Sequence, residues 1–168
     1  MTTPPSPPGP RQIDPRGHRF GAGLSVLILG AGSFAGIPLV VPFLAVALGS
    51  SAFFGTRYSI LGRPWPAVRR LLRLGPPQEL ESEYPPRFAQ LLGWVGLTLA
   101  SVLFAIGLGA GGWLLAGAVA ALQTLLAATG YCLGCRLYFL RWYVPGLFDR
   151  LVGRGTSTPA RDAIAIAR

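Results

Sequence analysis

The segment GYCLGCRLY holds the two cysteines of the 168-residue chain, Cys132 and Cys135, followed directly by Arg136. On a helix a three-residue step turns about 300°, so the two sulfurs lie on neighbouring faces of one turn. Thiols so placed can close a disulfide, exchange with a partner's sulfur, or supply two ligands to a soft metal. Cys132, Cys135 and Arg136 are therefore the candidate catalytic set, the sulfurs exchanging and the guanidinium stabilising thiolate. Structural zinc takes four ligands, and the single histidine, His18, lies far away in a proline-rich tail. The expectation is no metal and no cofactor. Cysteines at the C-terminal end of a helix would meet the negative end of its dipole, which opposes thiolate formation. A helix that breaks at Gly130 and restarts would reverse the sign. Both arrangements are compatible with the sequence.

Two long apolar tracts must position this pair. Phe20 to Thr56 (37 residues) and Phe88 to Cys135 (48 residues) contain no Asp, Glu, Lys, Arg or His. Each far exceeds the roughly 18 apolar residues that mark a membrane-span candidate. The first tract as one helix would be about 55 Å long, nearly twice a bilayer core. Gly36, Pro38 and Pro42 divide it, predicting spans near Phe20–Gly36 and Leu39–Phe54. In the second tract the run Gly109–Gly112 makes the natural turn, predicting spans at Ala89–Leu108 and Trp113–Cys132. The fold class expected is all-α, a small polytopic membrane protein of four transmembrane helices arranged as two hairpins, residues 20–152.

Residues 1–19 read as a disordered, proline-rich cytoplasmic tail, and residues 153–168 as a second flexible tail. The linker 57–87 carries six arginines and three glutamates. In its first half Trp65, Val68, Leu71, Leu72 and Gly75 fall toward one side of a helix and Arg69, Arg70 and Arg73 toward the other. That is the pattern of an interfacial amphipathic helix against anionic lipid headgroups. Beyond Arg136, Pro145–Gly146 should bend the chain along the membrane surface.

A net charge of +9 invites a nucleic-acid reading. The arginines flank the apolar tracts, however, and no polar domain exists to carry a recognition surface, so no nucleic-acid partner is expected. All 15 arginines lie before Phe20, in the linker, or from Arg136 onward, and none lies in the two turns. The positive-inside rule therefore places the N-terminus, linker and C-terminus in the cytoplasm of a multi-pass cell (inner) membrane protein. Small residues spaced by four, such as Gly32/Gly36 and Gly130/Gly134, allow helices to approach. The spans hold no titratable relay, which argues against proton-driven transport. Gln123 is their most conspicuous polar residue, suited to an interhelical hydrogen bond.

The segments IDPRGHRF (13–20), GTRYSILG (55–62), LGPP with the acidic stretch and PPRFAQ after it (74–90), and CLGCRLY (132–138) together carry a family resemblance. The chain resembles the bacterial integral membrane family designated domain of unknown function 4395. That resemblance implies a membrane architecture and a recurring cysteine pair, making Cys132 and Cys135 the positions to test. It brings no established activity. The family often has an acidic or uncharged residue after the second cysteine, where this chain has Arg136. The function expected is that of a membrane protein of unknown activity acting with partners. One alternative is a thiol redox or sulfur-relay component working with a cytoplasmic thiol or sulfur-carrier protein. Another is a homo-oligomeric transporter or channel subunit built around Gln123.

Overall fold

The computed structural model describes residues 12–77 and 80–143, with only the backbone described for 139–143. The chain forms two compact units, Met1–Tyr138 and Phe139–Arg168, and the helical bundle with its cysteine pair belongs to the first. The expectations for residues 1–11, the Pro145–Gly146 bend and the C-terminal tail lie outside the described residues.

Six α-helices account for most of the described residues: α1 (Pro15–Phe34), α2 (Val40–Phe54), α3 (Trp65–Leu71), α4 (Tyr84–Ala105), α5 (Gly109–Thr129) and α6 (Leu133–Tyr143). A short antiparallel ribbon pairs β1 (Gln12–Ile13) with β2 (Glu81–Ser82), in the register Gln12 to Ser82 and Ile13 to Glu81. The ribbon ties the entry of α1 to the entry of α4.

Helix α1 starts at Pro15, inside the stretch read from sequence as a disordered tail. The cause is local. Asp14 is the N-cap and its Oδ1 accepts a hydrogen bond from the Arg16 amide at 2.9 Å, while Pro15 fills the first helical position, where no amide is needed. The other carboxylate oxygen of Asp14 accepts from Trp65 Nε1 at 3.1 Å and stands 3.9 Å from Arg69, which docks α3 onto the start of α1. Proline density is a poor guide here because Pro15 sits at the one place a helix tolerates it.

Helix α2 closely follows its expected bounds. The turn between α4 and α5 falls at Ile106–Leu108, and Gly109 to Gly112 form the first turn of α5 instead. Gly107, with φ of +82°, supplies the left-handed step that this turn requires. Helix α1 packs chiefly on α5, α2 chiefly on α4, and α4 on α5. Leu44, Val41, Leu97 and Ala100 are fully buried between them, and Trp94, Phe104 and Trp113 close the core.

Two cations cap the helices at one end of this bundle. Arg19 donates from Nη2 to the carbonyls of Ala127 and Ala128, at 3.1 and 3.2 Å, near the end of α5. Arg87 donates to the carbonyls of Ala52 and Phe53 at the end of α2, and it also pairs with Glu83 at 3.8 Å. The other end, around Phe34–Leu39 and Ile106–Leu108, has no charged residue.

Large apolar side chains face outward along the helices. Leu27 is 69% exposed, Val46 66%, Leu99 53% and Leu114 80%. Two helices, α4 and α5, are long and apolar enough to cross a membrane, and α2 is a shorter apolar helix. In a soluble protein an apolar helix of this length is mostly buried. Here only 11% of the residues in the most apolar stretch of α4 and 22% of those in that of α5 are buried inside the protein.

Candidate functional site

The chain breaks between α5 and α6, and the break decides the chemistry of the cysteines. Thr129 bonds through its hydroxyl to the carbonyl of Leu125 at 2.6 Å, and the same hydroxyl accepts from the Tyr131 amide. Gly130 then takes φ of +76°, a left-handed helix terminus that a side chain would strain. Helix α6 restarts at Leu133. Cys132 is therefore not at the C-terminal end of a span, as the simplest division of the second tract suggests. It stands where an N-cap stands. Its carbonyl accepts the first helical bond from Arg136 N, and its Sγ accepts from Cys135 N at 3.1 Å.

A sulfur at that position occupies the place of a capping Ser or Asp oxygen. Amide donation and the positive end of the helix dipole both favour thiolate there. Cys132 and Cys135 are joined as a disulfide, with Cα atoms 5.2 Å apart. Gly134, between them, touches α4 so closely that an added Cβ would lie 2.9 Å from Ala89 Cα.

The early start of α1 brings a third group to the pair. His18 lies far from the cysteines in sequence, yet its imidazole and the sulfurs of Cys132 and Cys135 offer ligand atoms all within 4.8 Å of one another. The expectation that His18 lies apart in a flexible tail is therefore wrong: ordering by Asp14, Pro15 and the β1–β2 ribbon delivers it. Its Nε2 is buried with no hydrogen-bond partner.

Beside this trio lies a cavity of about 150 Å³, whose walls include His18, Gln90, Gln123, Cys132 and Gly134. The side-chain oxygens of Gln90 and Gln123 are buried and have no partner either, so Gln123 Oε1 is not held by the interhelical hydrogen bond expected of it. Gln90 closes the PPRFAQ segment and is one of the few polar side chains in the second apolar tract, but neither feature shows that it lines a cavity. The guanidinium of Arg136 lies over the Tyr131 ring, 5.4 Å from its centre. Arg19 is the cation packed against the turn at Gly130, where an added Cβ would lie 3.4 Å from its Nη1.

Burial pushes the His18 pKa down from 6.5 to about 4. The folded chain thus holds a neutral imidazole between those values while the unfolded chain binds a proton. Stability from this group is therefore complete above pH 6.5 and falls as the pH drops toward 4. A pH series of melting midpoints on the oxidised protein should show this slope, and His18→Gln should remove it. An equal slope in the variant would refute the assignment to His18.

The chain is thus a mostly helical protein with two helices able to cross a membrane and a CxxC disulfide at the start of a third. It belongs to the family described as Domain of unknown function (DUF4395), whose model matches residues 13–142. The match runs from Ile13 in β1 through α1 to α5 and takes in the cysteine pair. No curated protein and no solved structure matches the chain.

Proposed function

We propose that this is a multi-pass membrane protein in which Cys132 and Cys135 form a thiol–disulfide exchange pair for a cytoplasmic thiol or sulfur-carrier partner. The observation that carries the reading is the position of Cys132 Sγ at the N-terminus of α6, accepting the Cys135 amide. Four helices cross the bilayer in this reading: α1 from Phe20 onward, α2, α4 from Phe88 onward, and α5. Their outward apolar side chains support it, as does the gathering of Arg19 and Arg87 at one end of the bundle. Arginines at that end, with those of α3, face anionic headgroups on the cytoplasmic side.

In the exchange the Cys132 thiolate attacks one sulfur of a partner disulfide. A mixed disulfide forms and the partner's other sulfur leaves as thiolate, taking up a proton. Cys135 then loses its proton and attacks Cys132 Sγ, which closes the intramolecular bond and releases the partner's second thiolate. Two electrons pass from the pair to the partner, and the disulfide present in the structure is the product. The reverse sequence oxidises a partner dithiol.

Single-cysteine variants test this. With an aromatic disulfide as probe, Cys135→Ser should form a mixed disulfide at Cys132 at least about tenfold faster than Cys132→Ser does at Cys135. Equal rates would remove the special role of the helix N-terminus. In cells, a membrane-impermeant thiol reagent should label the reduced pair only after lysis, and labelling of intact cells would overturn the cytoplasmic placement.

A further inference from the structure

We propose that reduction of the disulfide by a small dithiol, which gives up two electrons and two protons and is itself closed to a disulfide, opens a zinc site made by Cys132, Cys135 and His18, with its fourth position facing the cavity lined by Gln90 and Gln123. The proposal does not rest on the exchange reading; it needs only that the two thiols exist in reduced form. Three ligand-type atoms within 4.8 Å of one another come from two separate elements, the first turn of α1 and the start of α6. A CxxC pair with Cα atoms 5.2 Å apart is spaced for one metal as well as for one disulfide. The second observation is independent of the sulfurs. His18 Nε2 is buried and unpartnered, and buried polar atoms are otherwise nearly always satisfied.

Charge selects the metal. Two thiolates and a neutral imidazole neutralise a divalent ion, leaving no net charge in a poorly solvated site. A monovalent ion would leave one negative charge there. Two sulfurs and one nitrogen are zinc ligands of ordinary type, and three protein ligands with an open fourth position are the arrangement of catalytic zinc. The cavity of about 150 Å³ beside His18 and Cys132 has room for water in that position. The amide oxygens of Gln90 and Gln123, both buried and unpartnered, are the acceptors such a water would use. Zinc and the disulfide exclude each other, because both draw on the same two sulfurs. Oxidation of both thiolates by an incoming disulfide, which takes up the two electrons and leaves as two thiols, therefore ejects the metal, and reduction by a dithiol restores the site.

Full-length protein in detergent, reduced without oxygen and freed of reductant, would be titrated with zinc against a chromophoric chelator. Cobalt serves as a spectroscopic probe of thiolate ligation. One zinc per chain is expected, with thiolate-to-cobalt charge-transfer bands and both thiols shielded from alkylation. The oxidised protein should bind none. His18→Ala should weaken binding by at least about tenfold, since loss of even an outer partner of a metal ligand costs that much. His18→Gln is the second variant should alanine unfold the helix start. Half a zinc per chain, insensitive to both His18 variants, would mean four thiolates from two chains and would overturn the site. So would failure of the folded, reduced wild type to retain zinc, or equal binding by the oxidised form. None of these results alters the single-cysteine exchange rates, so the two proposals fail separately.

Discussion

Gly134→Val is expected to cost about 3 kcal/mol, the upper part of the range for overpacking a tight contact. Gly134 is not there for backbone freedom, because its φ is not among the positive values of this chain. It is there for space. A Cβ at this position would lie 2.8 Å from Ala89 Cβ and 2.9 Å from Ala89 Cα, and a backbone atom cannot swing aside as a side-chain tip can. The first turn of α6 must lift from α4, and both cysteines lift with it, away from His18. The expected result is a lower melting midpoint in detergent together with lost zinc retention in the reduced protein. Gly117→Val is the control, since an added Cβ there meets nothing within 4 Å. Equal midpoints for the two variants would show that the contact with Ala89 does not hold α6 in place.

Arg87→Ala is expected to cost about 2 kcal/mol, in line with the value of hydrogen bonds to a charged group. The guanidinium donates to Ala52 O from Nε and Nη2, at 3.2 and 3.1 Å, and from Nη2 to Phe53 O at 3.2 Å. These carbonyls belong to the last turn of α2, which has no amide of its own to satisfy them. Glu83, 3.8 Å from Arg87, also accepts from Thr56 Oγ1 at 3.1 Å, so the loss extends into the segment after α2. Lysine keeps the charge but not the planar fork, and Arg87→Lys should recover only part of the loss. Unfolding midpoints for the three proteins check the order. If lysine restores wild-type stability, the fork is irrelevant and charge alone acts.

Much of the helical frame is legible in the chain because most of each long helix lies in a run that lacks charge. Leu39–Phe54 and Val40–Phe54 differ by one residue. The ends are less legible. Tyr84–Ala105 begins five residues before the expected Ala89, since Pro85 and Pro86 fit a first helical turn, where the N–H that proline lacks would have no intrahelical acceptor, and the Arg87 amide donates to Glu83 O. The first half of the linker reads as an interfacial amphipathic helix. The helix exists at Trp65–Leu71, yet Trp65 and Arg69 are engaged by Asp14, a residue 51 positions from Trp65. No local pattern announces such a contact.

That Cys132 and Cys135 stand three residues apart at the end of the second apolar tract follows from the chain alone, because spacing is a property of covalent order. Whether that position favours thiolate depends on how the chain packs. Gly130 permits both a continued helix and a left-handed terminus; Arg19, arriving from α1 to bind the carbonyls of Ala127 and Ala128, helps hold the end of α5 there. The same arrival of α1 supplies His18. A candidate ligand more than a hundred residues away cannot be found from periodicity, since only packing of α1 on α5 gives the two segments a common location. The unpartnered oxygens of Gln90 and Gln123 follow the same rule: their polarity is visible in the chain, but their shared cavity exists only once α4 and α5 are packed.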